Sequence, residues 1–513
     1  MTNRKRSFQV VLFMMLFSIT GKALGFIREV LLASYFGAGE SVDAYLLAII
    51  IPNLLFSFLG VGLATALIPH LSDKKMNHQT FNVISNLLNI LSIALVFIII
   101  NLYIFAPTII SYFGSNLSVE GQLIAVEMLR ILSLAVFFWV ICSIFSALLQ
   151  HTNNFIIPAF STLPNNIIVI LFIVTLTDYI GVKSLAYGML AALIVQTLIH
   201  VPSLFKAGYK FKFVIKPNDK NIYIIFSAAI LMSFLTAYEQ INLLTDRLFS
   251  PILNNGDLAT LNYAYKLFML PFGVLIATLI SYFYPRISKL AKDPKNFLDE
   301  VIRNKLIILL LIIPITVLML VFNYKIVEVV YERGAFSPSD TFHTAHALYV
   351  YSIGLPFFAL MMYLNRVFFS IKENKLPVVI GAISLLIGLV FKFILANQIG
   401  FIGLVISTSI TYIINVILII YILNKKSITL FSGKVFYQYV KLAIIFIILL
   451  LVASHVERNY EFSSMLVYSI LELITVSFFI LFMYVILLFV FKFLRYDSAS
   501  KMKIKFNLLK GDK

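Results

Sequence analysis

Apolar runs of about 18 or more residues recur along this chain, from near its N-terminus to about residue 494. A bilayer core is about 30 Å thick, and a helix needs about 20 apolar residues to cross it. Prolines, glycines and charge clusters divide the runs into about fourteen predicted spans. They start near residues 9, 43, 81, 122, 157, 183, 223, 257, 303, 341, 376, 400, 437 and 464. The pattern predicts an all-α polytopic membrane protein without a large soluble domain.

Composition agrees with a membrane protein and argues against other classes. Of 513 residues, 61% are hydrophobic and 12% are charged, whereas an ordinary soluble domain has about 25% charged residues. The net charge of +17 does not indicate nucleic-acid binding, because the basic residues are not gathered on one soluble face. The single cysteine, Cys142, excludes a disulfide within the chain.

Lysine and arginine collect in every second loop between the predicted spans. Clusters precede the first span and follow the second, sixth, eighth, tenth, twelfth and fourteenth, whereas the intervening loops are acidic or mixed. Positive charge in alternate loops marks the cytoplasmic side of a membrane protein. We therefore expect both termini to lie in the cytoplasm.

An internal repeat indicates the architecture. Residues 128–159 align without a gap with residues 347–378, and residues 62–75 resemble residues 275–292. The period of about 216 to 219 residues accommodates six helices, so both halves have the same orientation, as in transporters with parallel repeats. We expect two parallel six-helix lobes around a central cavity, followed by two C-terminal helices.

The repeat and the loops divide the chain into five parts. They are an N-terminal lobe (1–205), a basic amphipathic cytoplasmic connector (206–222), a C-terminal lobe (223–424), helices thirteen and fourteen (425–495) and a basic cytoplasmic tail (496–513). The connector alternates aromatic residues with lysines, which favours a position on anionic lipid headgroups.

Charged residues interrupt several predicted spans. A charge at the centre of a membrane helix costs roughly 2.5 to 3.5 kcal/mol on insertion scales, so it usually faces a polar cavity or a partner. The candidates for a central substrate cavity are Lys22, Arg28, Glu29, Asp43 and Lys266. Lysine and arginine both bind phosphate, and arginine does so through a planar fork. The excess of cations predicts a site for an anionic, lipid-linked substrate.

The first span leaves two interpretations open for its charges. Gly21, Gly25 and Arg28 share one helix stripe, so a neighbouring helix can approach the glycines while Arg28 points into the space between. Lys22 and Glu29 are seven residues apart, and an ion pair or side chains that reach the interface are the alternative for them.

The seventh predicted span carries a second group of charges, Glu239 and Asp246 on one face with Arg247 beside them. With Lys392 in the eleventh span, Asp246 and Glu239 form a candidate cation or ion-pair site. His343 and His346 lack a third ligand at matching spacing, so we expect no bound metal. The absence of a Gly-rich GK[ST] loop argues against ATP-driven transport, and we expect no cofactor.

Four segments resemble the MurJ (MviN) lipid II flippases of the MOP exporter superfamily. They are LGFIREVLLASYFGAGESVDAYLLAIIIPNLL (24–55), ALLQHTNNFIIPAF (147–160), YAYKLFMLPFGVLIATLISYFYPRIS (263–288) and YERGAFSPSDTFHTAHALYVYSIGLPFFAL (331–360). Together they span most of the repeat.

The resemblance implies a fold of fourteen helices, the last two forming a groove for a polyprenyl tail. It implies a transporter, not an enzyme, that moves undecaprenyl-pyrophosphate-linked peptidoglycan precursor to the outer leaflet of the bacterial plasma membrane by alternating access. By this likeness Arg28 matches an essential cavity arginine, and Lys22 and Lys266 take the places of other basic residues. Asp43 matches an acid of the second helix. Asp246 matches an acid that helps to hold sodium in some members.

The implied partners are the lipid-linked glycan and membrane lipids, with wall-synthesis machinery as a further candidate and a monomer as the expected state. Membrane potential, Na⁺ and H⁺ all stay open as driving forces. Phe56, Ser57 and Val61 stand where many members carry arginines and a glutamate, and Lys392 stands where sodium-binding members carry a carboxylate. Two alternatives therefore stay open, a flippase for another polyprenyl-linked glycan and a non-transporting scaffold of wall synthesis.

Overall fold

The computed structural model describes residues 2–71, 78–430, 433–463, 465–496 and 502–504. Its α-helices are α1 Thr2–Phe36, α2 Glu40–Leu55, α3 Gly62–Leu71, α4 His78–Phe113, α5 Val119–His151, α6 Ile156–Ile180, α7 Lys183–Lys206, α8 Lys220–Arg247, α9 Asp257–Pro271, α10 Ala277–Leu290, α11 Pro294–Val321, α12 Asn323–Tyr331, α13 Pro338–Ser370, α14 Lys375–Ile399, α15 Phe401–Lys425, α16 Gly433–Asn459 and α17 Leu466–Val490. Two short strands, β1 Leu494–Tyr496 and β2 Met502–Ile504, pair antiparallel with Arg495 opposite Lys503.

Twelve helical stretches of the described part of the chain are long and apolar enough to cross a membrane. Two of them, Glu40–Leu71 and Asp257–Leu290, each combine two of the α-helices above. This confirms the prediction of a multi-pass membrane protein whose spans are α-helices. Helices α1 and α8 occupy the first and seventh predicted spans, and the total of fourteen spans stays a prediction. The basic residues Lys74 and Lys75 and most of the predicted tail lie outside the described residues.

The two combined stretches each contain a π-helical turn, at Phe56–Val61 and Phe272–Ile276. The separation between the starts of these turns, at positions 56 and 272, equals the shorter period of the sequence repeat. A π turn breaks the regular backbone hydrogen bonding of a helix, and other groups of the protein must then satisfy the polar atoms. The Ser233 hydroxyl does so in the first turn, where it donates to the Phe58 carbonyl oxygen at 2.7 Å.

The repeat extends to the bounds of other helices. Helices α5 and α13 begin at 119 and 338 and end at 151 and 370, and α6 and α14 begin at 156 and 375. The separation in residue number is the same for all three pairs of helix bounds, and it equals the longer period of the sequence repeat. The glycines after α6 and α14, Gly181 and Gly400, have φ angles of 59° and 61°. The structure therefore confirms the internal repeat in these helices.

One helix differs between the halves. Helix α4 runs unbroken from 78 to 113, whereas its counterpart is split into α11 and α12 at Phe322. The starts of the two, at 78 and 294, have the same separation as the π turns, but their ends, at 113 and 331, lie further apart. The break therefore accommodates additional residues in the second half, which explains why the sequence period is not constant.

The chain divides into two compact units. The first comprises Met1–Ala259 and Arg333–Ser337, and the second comprises Thr260–Glu332 and Pro338–Lys513. The first unit has an aliphatic core built by α3, α4, α5, α7 and α8, with Leu67, Ile84, Leu87 and Val140 inaccessible to solvent. The lobe boundaries predicted from the repeat differ from this division and stay a prediction.

An aromatic cluster forms part of the core of the second unit. Phe268 of α9 lies 5.5 Å from Tyr351, 5.6 Å from Phe358 and 6.2 Å from Tyr412, measured between ring centroids. All four side chains are buried. Because α9 also carries Lys266, the cluster fixes the helix turn on which that cation lies.

The connector contains an extended segment, residues 209–216, which we call the strap. Polar side chains of α4 satisfy its backbone: Asn86 accepts from the Lys216 amide and donates to its carbonyl oxygen, and Asn89 donates to the carbonyl oxygens of Lys212 and Val214. Burial raises the pKa of the Tyr209 phenol, and its hydrogen bond with Ser85 opposes that shift. The strap is therefore an ordered part of the first unit.

Candidate functional site

The glycine stripe predicted for the first span packs on α6. A side chain at Gly21 would lie 2.8 Å from the Thr162 hydroxyl, and one at Gly25 would lie 3.6 Å from the Asn166 side-chain oxygen. Asn166 also donates to the Gly21 carbonyl oxygen at 3.3 Å. The absence of side chains at the two glycines therefore allows α1 and α6 to approach closely, as the sequence predicts.

A pocket of ≈600 Å³ lies beside this helix contact. Its lining comes from α1, the end of α5 and the start of α6, and consists of Met14, Ser18, Gly21, Lys22, Gln150, Phe155, Pro158, Ala159, Thr162 and Asn166. The lining combines one cation with hydroxyl and amide groups. Such a lining suits an anionic group that carries further hydrogen-bonding oxygens.

Arg28 lies on the same helix, about 9 Å from Lys22 along its axis. Its guanidinium donates to the Glu29 carboxylate at 3.1 Å, and the two side chains are 23% and 11% exposed. Tyr45 of α2 is within electrostatic range of both residues. A guanidinium has five N–H donors and this contact uses one of them, so the ion pair orients Arg28 and leaves it able to bind an anion.

The structure places Asp43 at a different position, away from the pocket of Lys22. Its side chain is fully buried, and its two carboxylate oxygens accept from the Gly256 and Ala259 amides, both at 2.7 Å. These amides belong to the first turn of α9 and the residue before it, so Asp43 stabilises the start of that helix as an N-cap would. Glu40 does the same for α5, by accepting from the Ser118 amide.

The charges of the seventh predicted span lie near the end of α8. Asp246 and Arg247 are buried, with 3% and 4% exposure, and Glu239 is half-buried. Arg247 interacts electrostatically with Asp43. The start of α2 and the end of α8 therefore form a buried charged cluster in the first unit. Spacing along a single helix did not predict this cluster.

The two remaining predicted site residues belong to the second unit. Lys266 is half-buried on α9, and Lys392 on α14 is 1% exposed. Asp246 belongs to the first unit, so its pairing with Lys392 stays a prediction. Among the described residues, no group of three or more histidine, cysteine, aspartate or glutamate side chains is arranged to hold a metal.

Residues that the sequence analysis did not select also shape the site. Thr162 and Asn166 line the pocket of Lys22, and the polar run SxxxNN within the apolar sequence of α6 was an available signal. Phe56, which the family resemblance places where many members carry an arginine, stacks on Trp139 with 4.2 Å between ring centroids and 11° between planes. An aromatic contact therefore joins α5 to the π turn.

A helical bundle with an internal repeat and charged residues within its spans is typical of multi-pass membrane transporters. Sequence comparison gives the family, because the family described as "Lipid II flippase MurJ" matches residues 32–471. The chain belongs to the MurJ lipid II flippase family.

Individual relatives agree with this family. The chain is 27% identical over 415 residues to the lipid II flippase MurJ of Thermosipho africanus (strain TCF52B), covering 79% of this chain and 84% of the relative. It is 28% identical over 463 residues to the probable lipid II flippase MurJ of Buchnera aphidicola subsp. Acyrthosiphon pisum (strain APS), covering 86% and 89%.

Solved structures give the same result. A lipid II flippase MurJ in an inward closed conformation superposes with a TM-score of 0.81 and 27% identity, covering 94% of this chain and 98% of that chain. An inward-facing multidrug resistance MATE transporter of the MOP superfamily superposes with a TM-score of 0.66 at 16% identity, covering 80% and 94%. The second likeness concerns the fold alone.

Proposed function

We propose that this protein carries lipid II, the undecaprenyl-pyrophosphate-linked peptidoglycan precursor, from the inner to the outer leaflet of the bacterial plasma membrane by alternating access. One observation supports the proposal most strongly. In this MurJ-family chain, Arg28 lies within an apolar helix, is partly exposed and is held by Glu29. Ionisable residues within membrane helices usually face the bundle interior or a water-filled cavity and mark substrate or ion pathways.

The basic residues have distinct roles in this proposal. Arg28 binds the pyrophosphate through its planar fork, and Glu29 orients the guanidinium. Lys22 attracts the anionic headgroup as a point charge. The hydroxyl and amide groups of its pocket form hydrogen bonds with the sugars. Lys266 of α9 is a further candidate cation of the second unit, and Asp43 anchors the first turn of that helix without touching substrate.

The membrane potential supplies the direction of transport. With a negative cell interior, outward movement of each uncompensated negative charge is favoured by about 2.3 kcal/mol per 100 mV. In this proposal Lys392 occupies the position of a bound sodium ion, so the cycle depends on potential and requires neither Na⁺ nor a proton at Asp246 and Glu239. Both termini lie in the cytoplasm, in agreement with the basic loops.

A second candidate function is transport of a different polyprenyl-linked glycan. The stack of Phe56 on Trp139 favours it, because an aromatic pair stands where many members of the family have an arginine. The two functions differ in the intermediate that accumulates when the protein is depleted. Accumulation of lipid II supports the first function, and accumulation of another lipid-linked glycan with normal lipid II supports the second.

Substitution of Arg28 tests the proposed site. We expect Arg28→Ala to abolish complementation of a flippase-depleted strain and outer-leaflet exposure of lipid II, whereas Arg28→Lys retains part of both. The matched control is Arg130→Ala, because Arg130 of α5 is also a membrane-helix arginine but contacts the carbonyl oxygen and ring of Tyr103.

A double variant separates binding from structure. Arg28→Gln with Glu29→Gln removes both charges, so it leaves no buried carboxylate without its partner. If Arg28 serves only to neutralise Glu29, the double variant transports normally, and that result would overturn the proposed site. If Arg28 binds pyrophosphate, the double variant is folded and inactive.

A further inference from the structure

A small apolar cavity lies in the first unit where the strap meets three helices. Its volume is ≈230 Å³. Its lining includes Leu88 and Ser92 of α4, Phe137 and Ile141 of α5, Phe205 of α7 and Phe211 of the strap. Pockets for drug-sized ligands have roughly 300 to 1,000 Å³, so this cavity suits a thin apolar chain rather than a headgroup.

The cavity extends from an exposed rim into the apolar interior. Phe205 and Phe211 at the rim are 60% and 56% exposed, whereas Leu88 and Ile141 are 4% and 7% exposed. Phe137 and Phe145 both line the cavity from α5, and eight residues of helix correspond to about 12 Å. A chain that enters beside the two exposed phenylalanines therefore runs into the interior, with apolar side chains around it.

Two lysines are the sequence neighbours of the rim residues Phe205 and Phe211. Lys206 at the end of α7 and Lys210 in the strap flank the rim residues, and both are exposed. Along the strap, lysines alternate with the side chains of Phe211 and Phe213, which are 56% and 78% exposed. This pattern matches a membrane interface with anionic headgroups.

We propose that the strap and the cavity form a binding site for one anionic diacyl phospholipid of the bilayer. Part of one acyl chain occupies the cavity, and the phosphate pairs with Lys206 and Lys210. The lipid joins the strap to α4, α5 and α7, because its chain contacts all of these elements. The site is separate from the pocket of Lys22, and the proposal does not depend on which substrate the protein transports.

Binding of phosphatidylglycerol to the purified full-length protein tests the proposal. Native mass spectrometry counts the lipids retained after detergent exchange, and titration gives their affinity. We expect one tightly retained phosphatidylglycerol, at least tenfold tighter than phosphatidylcholine. Ser92→Phe fills the cavity and the double variant Lys206→Gln with Lys210→Gln removes the rim charges, so each weakens phosphatidylglycerol binding at least tenfold.

Two controls have the same chemistry at other positions. Ala94→Phe adds a phenyl ring to an exposed position of α4, and Lys289→Gln with Lys292→Gln removes two exposed lysines of the second unit; both retain the lipid. If Ser92→Phe does not fold, the lysine variant still tests the site. Equal affinity for phosphatidylcholine, preferential binding of undecaprenyl phosphate, or retention of phosphatidylglycerol by both test variants overturns the proposal.

Discussion

At the scale of single residues, Arg28 in the second half of α1 and Asp43 in the first turn of α2 have different surroundings. Arg28 is 23% exposed and has one carboxylate partner, whereas Asp43 is fully buried and accepts from two backbone amides. The first arrangement leaves donors for a ligand, and the second uses both carboxylate oxygens. The two residues therefore have different roles, although the family resemblance assigns both to one cavity.

Gly256 shows how closely the chain packs around Asp43. Its φ angle is +91°, and a side chain there would lie 2.2 Å from the Ala38 carbonyl oxygen. Glycine is the residue that reaches this backbone region without strain. Because Gly256 approaches the turn between α1 and α2 so closely, its amide reaches the Asp43 carboxylate. The contact therefore needs both the glycine and the acid.

We predict that Asp43→Ala destabilises the protein by at least about 2 kcal/mol, because each buried amide left without an acceptor costs about 1 to 3 kcal/mol. Denaturant unfolding in detergent measures the loss. Asp178→Ala, at an exposed acid of α6, is the control, and its effect stays within about 0.5 kcal/mol. Normal stability with lost transport would assign Asp43 to the substrate instead.

At the scale of secondary-structure elements, the strap shows how a membrane protein accommodates an extended segment. An extended segment that packs on a helix needs hydrogen-bond partners for its backbone groups. Ser85, Asn86 and Asn89 of α4 supply them, since they lie close together on the helix and contact alternate strap residues. These polar residues in the first turns of a span are therefore structural.

We predict that Asn86→Ala with Asn89→Ala increases the rate of tryptic cleavage at the strap lysines at least tenfold. The double variant removes four hydrogen bonds to the strap, each worth about 0.5 to 1.5 kcal/mol. Limited proteolysis of the purified protein, with cleavage sites mapped by mass spectrometry, measures the rate.

The control for the strap variant is Asn101→Ala, because Asn101 lies on the same helix and donates to the carbonyl oxygen of Phe97 within α4. Its cleavage rate should equal that of the unmodified protein. Equal rates for the double variant and this control would show that other contacts hold the strap.

At the scale of the whole molecule, the repeat recurs in helix bounds, in π turns and in the glycines after α6 and α14. The chemistry does not repeat in the same way. Helix α1 carries Lys22, Arg28 and Glu29, whereas the equivalent α8 carries Glu239, Asp246 and Arg247. A duplicated fold therefore carries two different sets of charges.

We predict that the membrane potential controls the distribution of substrate in reconstituted vesicles. An imposed potential of about 100 mV, negative on the cytoplasmic side of the protein, shifts the ratio of lipid II between leaflets by up to about fiftyfold per uncompensated charge. A potassium gradient with valinomycin sets the potential, and leaflet-specific labelling of lipid II measures the ratio.

Replacement of Na⁺ by choline is the corresponding ion test, and it should leave the ratio unchanged. The control for potential is valinomycin with equal potassium on both sides. Transport that requires Na⁺ and ignores the potential would contradict the proposed role of Lys392 and would favour ion binding at Asp246.

The sequence alone determined the fold class, the repeat and the contact between the glycine stripe and another helix, because long apolar runs, a recurring segment pattern and helical spacing can be read along the chain itself. It also selected Lys22 and Arg28, since a charge within an apolar span stands out without any neighbour. Only the tertiary structure showed that α6 supplies the polar lining around Lys22, that Asp43 holds the start of α9, and that α4 binds the strap. These contacts join residues far apart in the chain, as Asp43 and Ala259 are, and spacing along one helix contains no information about them.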